Sequence, residues 1–193
     1  DCAGSEWSAR LSQPDGSAFV LGDRDDACSV ALEWQHKGRH NVSNALAAAA
    51  LAETVGIALE RSGAALRDFR GVKRRLELLG CIAGVSVYDD FAHHPTAIEV
   101  TLQGLRAAKA EGRIVAVIEP RSNTMRLGAH RERLPECTRD ADLVLWFQPP
   151  GVDWDLESVA RASATPSRVY QSTGGIIDAL VEELRPGDQV VIM

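Results

Sequence analysis

The sequence predicts an α/β fold in which a mostly parallel sheet is covered by helices on both faces. Beyond Gly71, strand-like and helix-like segments alternate along the chain, as they do in βαβ units. The strand-like segments 114–118 and 142–147 are almost entirely apolar, which is typical of parallel strands that are buried on both faces.

The composition is that of an ordinary globular protein, and it limits the classes of function. The 193 residues are 45% hydrophobic and 25% charged, with a formal net charge of −6, so a basic surface for nucleic acid is not expected. There is no signal-peptide pattern, and the longest apolar run, residues 45–52, is too short to cross a membrane, so a cytoplasmic location is expected. The four cysteines form no CxxC pair, which argues against a zinc or redox site.

Residues 1–71 are predicted to be a unit of their own. Segments 17–21 and 28–34 predict a β-hairpin around the polar turn 22–26. Two strands alone cannot bury a core. Together with the aspartate at position 1, this leads us to expect the C-terminal remnant of a longer domain.

Helices are expected in the rest of this first unit. The Ala/Leu-rich run 45–59 has the best helix propensities, and Asn41 or Ser43 is placed to be its N-cap. A shorter helix is expected over 62–68.

Residues 72–193 are predicted to hold the parallel sheet. Segments 75–79 and 85–89 are expected to pair through the turn Ala83-Gly84, and Pro95 opens a helix, as proline does at a first helical position. The expected strands are 75–79, 85–89, 114–118, 142–147, 168–170 and 189–193, and the expected helices are 95–111, 130–139, 156–162 and 174–184.

Polar side chains follow two of the predicted strands, at the point where each strand gives way to a helix. The first cluster, residues 89–95, has the sequence DDFAHHP, and the second, residues 119–126, has the sequence EPRSNTMR. Ligands of parallel α/β sheets bind at the carboxyl ends of the strands. The sequence therefore predicts that both clusters belong to a ligand site.

The first cluster allows several chemical roles. An aspartate at a strand end can accept hydrogen bonds from a ribose hydroxyl or orient a metal-bound water, and a histidine at a helix start can donate to an anion. The alternative is that Asp90 or His94 only caps the helix that begins at Pro95. Four polar groups are more than a cap needs, so a functional role is favoured.

The second cluster offers two guanidinium groups, those of Arg121 and Arg126. The fork of an arginine binds both oxygens of a carboxylate or phosphate at once. The alternative is a solvated loop with surface arginines. The run Lys73-Arg74-Arg75 can likewise reach a phosphate, although charge runs are more often solvated.

No resident metal is predicted from the residues. His36, His40, Asp90, His93 and His94 do not have the spacing of HExxH or a similar metal motif. The phosphate-loop pattern GxxxxGK[ST] also does not occur in the sequence.

Three motifs together resemble the Mur ligase family. They are GxHNxxN at 38–44, followed by the Ala-rich helix, GVKRRLE at 71–77, and DDFAHHPT at 89–96. They occur in the family's order, and the resemblance covers essentially the whole chain. One departure is Phe91, where the family usually has tyrosine, and there the aromatic ring is kept.

The resemblance implies a Rossmann-like C-terminal domain over 72–193, preceded by a remnant of the central ATP-binding domain over 1–71. The implied cofactors are ATP and Mg²⁺, which in the family are held largely by segments that precede those matched here. The chain alone is therefore expected to be inactive.

The resemblance also implies roles for residues on the nucleotide side. His40, Asn41 and Asn44 would lie against the adenine side of ATP. From the C-terminal domain, Arg75 would approach the phosphates and Asp90 the ribose. Together with His93, Arg75 and Asp90 are also expected to form the catalytic group.

Residues 119–128, EPRSNTMRLG, resemble one subgroup of the family. That subgroup joins the murein tripeptide L-alanyl-γ-D-glutamyl-meso-diaminopimelate to UDP-N-acetylmuramate in peptidoglycan recycling, through an acyl phosphate that the peptide amine attacks. By this resemblance His93 would face the reaction centre. Arg121, Asn123 and Arg126 would hold the carboxylates of the peptide.

Other readings of the sequence remain open. Within the family, the L-alanine-adding ligase is the main alternative, whereas the DDxxHHPT and RSNTMR forms argue against folylpolyglutamate synthase and the diaminopimelate-adding ligase. A receiver domain would need a phosphoacceptor aspartate at the end of a later strand, but 114–118 ends in Glu119-Pro120. A nucleotide- or peptide-binding module without catalysis is the third alternative. Neither a nucleic acid nor a membrane is an expected partner.

Overall fold

The computed structural model describes residues 7–22, 28–108 and 112–193. The chain divides into two compact units, Asp1–Gly71 and Val72–Met193. Most of the predicted turn 22–26 and the last residues of the predicted helix 95–111 lie outside the described residues.

The first unit has an antiparallel sheet and two helices in its described part. The sheet is three-stranded with the order β1-β2-β3, and α2 packs against both β3 and α1. The elements are β1 (Ser8–Leu11), β2 (Ala18–Gly22), β3 (Ser29–Glu33), α1 (Arg39–Thr54) and α2 (Leu59–Asp68).

The core of this unit follows from the period of two along its strands. In β3, Val30 and Leu32 are buried while the alternate residues 29, 31 and 33 are exposed, as one face of a pleated strand requires. They pack with Phe19 and Leu21 of β2 against the small residues of α1, among them Ala45. The predicted hairpin is present as the antiparallel pair β2 and β3. The third strand, β1, was not predicted, because Leu11 is its one large apolar residue and its pattern is too weak to be found from sequence.

The start of α1 also differs from the sequence-based prediction. Gly38, with a φ of 91°, is the N-cap, so Asn41 and Ser43 lie inside the helix. Their side chains donate back to the carbonyls of Lys37 at 2.8 Å and Arg39 at 3.1 Å instead of capping. Glycine suits this N-cap position because residues with a side chain rarely adopt a positive φ.

The second unit is built on one mixed sheet flanked by helices, and the predicted fold class is confirmed. The sheet is six-stranded with the order β4-β5-β9-β6-β7-β8; β4 pairs antiparallel with β5, and the other pairs are parallel. The elements are β4 (Glu77–Ile82), β5 (Val85–Asp89), α3 (Pro95–Ala107), β6 (Ile114–Ile118), α4 (Asn123–Arg126), a 3-10 turn (Arg131–Arg133), α5 (Leu134–Cys137), β7 (Leu143–Phe147), α6 (Leu156–Ala162), β8 (Ser167–Tyr170), α7 (Thr173–Glu183) and β9 (Gln189–Ile192).

Both faces of the central strands of this sheet are buried, which explains why those strands are apolar. In β7, Val144 and Trp146 belong to the core cluster that includes residues of α3, α5 and α6, whereas Leu143 and Leu145 belong to the cluster that includes Ile176 of α7. Each fully buried large apolar side chain contributes about 2–3 kcal/mol relative to an exposed one. The predicted helix 130–139 is broken into a 3-10 turn and the short α5, which begins beside Pro135.

At the amino edge of the sheet, the ion pair of Arg113 and Asp188 links the starts of β6 and β9. The carboxylate of Asp188 accepts from the Arg113 guanidinium at 2.7 Å and 3.3 Å, and from the backbone N–H groups of Arg113 at 3.0 Å and Arg185 at 2.9 Å. The backbone is equally tight there, since a Cβ on Gly112 would lie 1.9 Å from the carbonyl oxygen of Gly187.

In the described part of the chain, no helix combines the length and the apolar character that a membrane crossing requires.

Candidate functional site

The sheet order brings the two polar clusters to the same edge. The last strand, β9, lies between β5 and β6, and all three are parallel. Immediately beyond β5, the N–H of Asp90 donates to Ile192 at 2.9 Å, and beyond β6 the N–H of Glu119 donates to Met193 at 2.9 Å. The loops after β5 and β6 therefore start on either side of the end of β9.

A direct hydrogen bond joins these two loops. The hydroxyl of Ser122 donates to the backbone carbonyl of His93 at 3.0 Å. The same hydroxyl oxygen accepts from the N–H of Met125 at 3.4 Å and so caps α4. The structure thus joins the predicted clusters into one surface, which we call the carboxyl-edge site, formed by residues 74–77, 89–96 and 119–126.

Asp90 is buried, and its carboxylate is bonded to protein groups. It accepts from the backbone N–H of Leu76 at 2.7 Å, the N–H of Ala92 at 2.8 Å and the hydroxyl of Thr101 at 3.4 Å. Only 4% of the residue is exposed, which leaves little of this side chain for a ligand. Its observed role is to fasten the segment before β4 to the loop after β5.

The segment before β4 is held on its other side by Asp89. The Arg74 guanidinium pairs with that carboxylate at 3.1 Å and lies 5.1 Å from the centre of the Phe91 ring. Arg74 and Leu76 have φ values of 59° and 51°, in the left-handed region that residues other than glycine rarely adopt. The surrounding hydrogen bonds hold this strained backbone in place.

Arg75 lies between these two strained residues and is exposed. Within the described part of the chain, its guanidinium forms no hydrogen bond and no ion pair. Its neighbour Arg74 is the arginine that pairs with an acid. The fold therefore presents Arg75 at the carboxyl-edge site with all its donors available to a ligand.

His93 is exposed on the loop after β5, and its ring is oriented by the backbone. Its Nδ1 lies 2.7 Å from the carbonyl oxygen of Phe91, which can only accept, so Nδ1 carries the hydrogen. In the neutral ring the other nitrogen, Nε2, is then an acceptor.

His94 has the capping role that was one of the two readings of the sequence. Its Nδ1 accepts from the N–H of Thr96 at 3.3 Å at the start of α3, which has Pro95 in its first turn.

Of the three predicted peptide-binding residues, two present uncommitted side chains. Arg121 and Asn123 are exposed, and within the described residues their side chains form no hydrogen bond. Arg126 is partly engaged, because its guanidinium donates to the carbonyl of Pro150 at 3.2 Å. Trp154, which motif reasoning did not single out for this role, holds the loop by donating to the carbonyls of Met125 and Arg126, each at 3.0 Å.

The residues predicted for the adenine side lie in the first turns of α1 in the first unit. Asn41 and Asn44 are three residues apart, so they are neighbours on the helix surface, and Asn44 is exposed. The amide nitrogen of Asn41 donates to Lys37. The His40 ring packs so closely on Gly38 that a Cβ there would lie 2.6 Å from its Cε1.

The comparisons with known proteins place the chain in a family. The family model described as "Mur ligase, glutamate ligase domain" matches residues 74–193. The chain belongs to the Mur ligase family.

Two curated relatives share a name that gives their substrates: UDP-N-acetylmuramate–L-alanyl-γ-D-glutamyl-meso-2,6-diaminoheptandioate ligase. The protein of Haemophilus influenzae is 37% identical over 98% of this chain and 42% of its own length, and that of Escherichia coli is 40% identical over 97% and 41%. A UDP-N-acetylmuramate–L-alanine ligase of Pelotomaculum thermopropionicum is 39% identical over 84% of this chain and 37% of its own length. This chain thus spans about two fifths of these relatives.

Solved structures agree with this placement. A murein peptide ligase from Psychrobacter arcticus is 40% identical, with a TM-score of 0.70 over 98% of this chain and 41% of that one. The UDP-N-acetylmuramate–alanine ligase of Thermotoga maritima has a TM-score of 0.78 over 98% of this chain and 42% of its own, but at 20% identity it supports the fold alone.

Proposed function

We propose that this chain is the part of an ATP-dependent ligase that receives the peptide L-alanyl-γ-D-glutamyl-meso-diaminopimelate for attachment to UDP-N-acetylmuramate. The observation that carries the proposal is the likeness to the two relatives with that name, which covers 97–98% of this chain at 37–40% identity. A UDP-N-acetylmuramate–L-alanine ligase of Phenylobacterium zucineum also matches 98% of this chain, but at a lower identity of 34%.

The charges at the carboxyl-edge site support a peptide with several carboxylates. Arg121 and Asn123 offer uncommitted donors on one short segment, and Arg126 keeps part of its fork available. Guanidinium groups bind carboxylates through paired, charge-assisted hydrogen bonds. We assign these three residues to the peptide.

Arg75, Asp90 and His93 have distinct proposed roles. The exposed guanidinium of Arg75 suits a phosphate group. Asp90, buried and bonded to the N–H of Leu76, acts on the nucleotide side mainly by positioning that arginine, rather than by the ribose contact that the resemblance implies. His93, with Nδ1 on a carbonyl, keeps Nε2 to accept a proton from the peptide ammonium, which leaves the free amine to attack.

We assign the first turns of α1 to the nucleotide base. A side-chain amide offers a donor and an acceptor side by side, as the edge of adenine requires. Asn44 is exposed and Asn41 uses its amide nitrogen on the backbone, so Asn44 is the more available of the two, with His40 beside them.

ATP and Mg²⁺ would supply the phosphoryl group and the charge neutralisation of the reaction. Among the described residues, no group of three His, Cys, Asp or Glu side chains is placed to hold a metal ion. We therefore assign no Mg²⁺ ligand to this chain. Because its sequence contains no phosphate-loop pattern, the 193-residue chain is expected to form no ADP from ATP and the two substrates.

Calorimetric titration of the 193-residue chain with the tripeptide tests the proposal. Saturable binding is expected, and Arg121→Ala is expected to weaken it about tenfold, since a hydrogen bond to a charged group contributes about 1.5–3 kcal/mol. Arg126→Ala is expected to weaken it less, because that guanidinium already serves the Pro150 carbonyl.

Arg161→Ala is the matched control, because Arg161 pairs with Asp155 at 3.1 Å and belongs to neither polar cluster. If the arginine variants bind the tripeptide as the unchanged chain does, the assignment of the peptide to this loop is wrong. Preferential binding of L-alanine over the tripeptide would instead favour the L-alanine-adding alternative.

A further inference from the structure

At the margin of the carboxyl-edge site, His94 meets two basic side chains that the sequence motifs did not include. The rings of His94 and His130 meet edge to face, with their centres 4.4 Å apart. The Arg133 guanidinium donates to the hydroxyl of Thr96, two residues after His94, at 3.4 Å. These residues, His94, His130 and Arg133, come from the start of α3 and from the turn before α5, and we call them the basic cluster.

The hydrogen bonding of His94 determines which ring nitrogen carries the hydrogen in the neutral form. Its Nδ1 accepts from the N–H of Thr96, so the neutral ring carries its hydrogen on Nε2. The histidine is therefore a donor to anything that approaches its outer nitrogen.

Within residues 7–22, 28–108 and 112–193, no acidic side chain forms an ion pair with the basic cluster. Burial lowers the pKa of His94, and the positive charges of His130, Arg133 and His93 lower it further. Glu132 and Glu136 lie on the same stretch of chain, yet among the described residues neither forms an ion pair with the cluster. The Arg133 guanidinium and the outer N–H of the His94 ring, with no acid paired to them among the described residues, favour an anion from outside the chain.

We propose that the basic cluster is a second carboxylate subsite of the peptide, with His130 and Arg133 as specificity-determining residues. The inference rests on the proposed function, in which the substrate is the tripeptide. Its D-glutamyl residue keeps one free carboxylate and its diaminopimelate keeps both, whereas L-alanine has a single one. A peptide with more carboxylates than the loop 121–126 can bind needs further cationic groups.

The position of the cluster supports this occupant. The loop that carries the peptide-binding arginines touches the loop that carries the histidines through the bond from Ser122 to the carbonyl of His93, at 3.0 Å. His94 follows that residue directly, so the cluster and the arginine loop belong to one continuous surface.

Side-chain NMR of the histidines, combined with calorimetry, tests the subsite on the 193-residue chain. Adding the tripeptide is expected to shift the ring signals of His94 and His130 and to raise the pKa of His94, because a bound carboxylate favours the charged ring. His130→Ala and Arg133→Ala are each expected to weaken tripeptide binding about tenfold. The same peptide with its diaminopimelate carboxylates converted to amides is expected to bind the unchanged chain as weakly as the two variants bind the acid.

Arg139→Ala is the matched control, since this arginine of the neighbouring turn already pairs with Glu99 at 2.8 Å. Tripeptide binding with unmoved histidine signals and unaffected His130 and Arg133 variants would overturn the subsite and leave the proposed function standing. Absence of tripeptide binding by both methods would overturn both. Equal histidine shifts with ADP or UDP-N-acetylmuramate would show a phosphate subsite and overturn the peptide assignment.

Discussion

The two edges of the sheet in the second unit use their charges in opposite ways. At the amino edge, Arg113 pairs with the buried carboxylate of Asp188 at 2.7 Å, and Arg106 pairs with Asp142 at 2.6 Å. At the carboxyl edge, acids are equally present, but they bind the backbone or Arg74, and Arg75 is left exposed.

The difference shows that charge alone does not mark a site in this protein. Arginines occur at both edges, and what separates them is whether the fold supplies an acid for each. The amino edge is neutral within itself and contributes to stability. The carboxyl edge also has acids, but in the described structure they do not pair with Arg75 or Arg121, and such unpaired cations favour an anionic ligand.

Asp188→Asn at the amino edge should have the largest effect on stability. We expect a loss of about 3 kcal/mol in the free energy of unfolding, at the lower end for a broken buried pair because the Arg113 side chain is partly exposed. Urea denaturation followed by circular dichroism measures it. A loss below about 1 kcal/mol would contradict the view that this pair holds the starts of β6 and β9 together.

The pH dependence of the same variant sharpens the test. Burial raises the pKa of Asp188, but hydrogen bonds from the Arg113 side chain and from the backbone N–H groups of Arg185 and Arg113 outweigh it, so the net pKa is lowered. A lowered pKa gives stability that is present above the unfolded value of about 4 and is lost as the pH falls through the folded value. The unchanged chain and Asp188→Asn should therefore differ most in free energy of unfolding near pH 7. This difference should become smaller as the pH is lowered below about 4.

Asp90→Asn should have the next largest effect, although this residue lies at the carboxyl edge. An asparagine keeps one acceptor oxygen but turns the other position into a donor facing a backbone N–H, so we expect a loss of about 2 kcal/mol. Hydrogen exchange at the N–H groups of Leu76 and Ala92 should rise together. Unchanged exchange at both would refute the fastening role.

His94→Ala should cost about 1 kcal/mol at pH 7.5, because it removes the N-cap of α3. The folded-state pKa of His94 is lowered, chiefly by burial, so its contribution is complete above the unfolded value of about 6.5 and is lost as the pH falls. Thermal unfolding at pH 7.5 and at a pH near 5 should show the variant and the unchanged chain converging. Divergence at the lower pH would contradict the cap.

Arg75→Ala and Arg121→Ala should have the smallest effect, within about 0.5 kcal/mol of the unchanged chain, because neither side chain bonds to the described protein. The contrast is Arg113→Ala, which removes the partner of a buried acid. A stability loss in Arg75→Ala comparable with that of Arg113→Ala would remove the distinction between the edges.

Much of the second unit could be predicted from sequence because its strands are apolar on both faces. The segments 85–89, 114–118 and 156–162 match the structure, whereas the weakly patterned β1 and the broken helix 130–139 did not follow from their sequences. The hydrophobic pattern of a sequence predicts an element well where the element is buried along its whole length. It fails for a short element that is stabilised by contacts with residues distant in the chain.

The candidate site shows the same division. That clusters 89–95 and 119–126 lie together follows from parallel topology. The sequence did not indicate that β9 would insert between their strands, that the Asp90 carboxylate would face the backbone, or that His130 would meet His94, because these depend on packing. The roles of the assigned ligand-binding residues in both units remain predictions.

The left-handed backbone at Arg74 and Leu76 has a consequence for variants selected by heat resistance. The Leu76 side chain packs against the core, so a glycine there would lose that contact. Glycine in place of Arg74 would relieve the strain and make the segment more mobile, so the fold would gain stability while the guanidinium of Arg75 lost its fixed location. Stability and affinity would then change in opposite directions from a single substitution. A screen that selects only for thermal stability would retain such a glycine and would gradually lower the affinity of the site for its ligand.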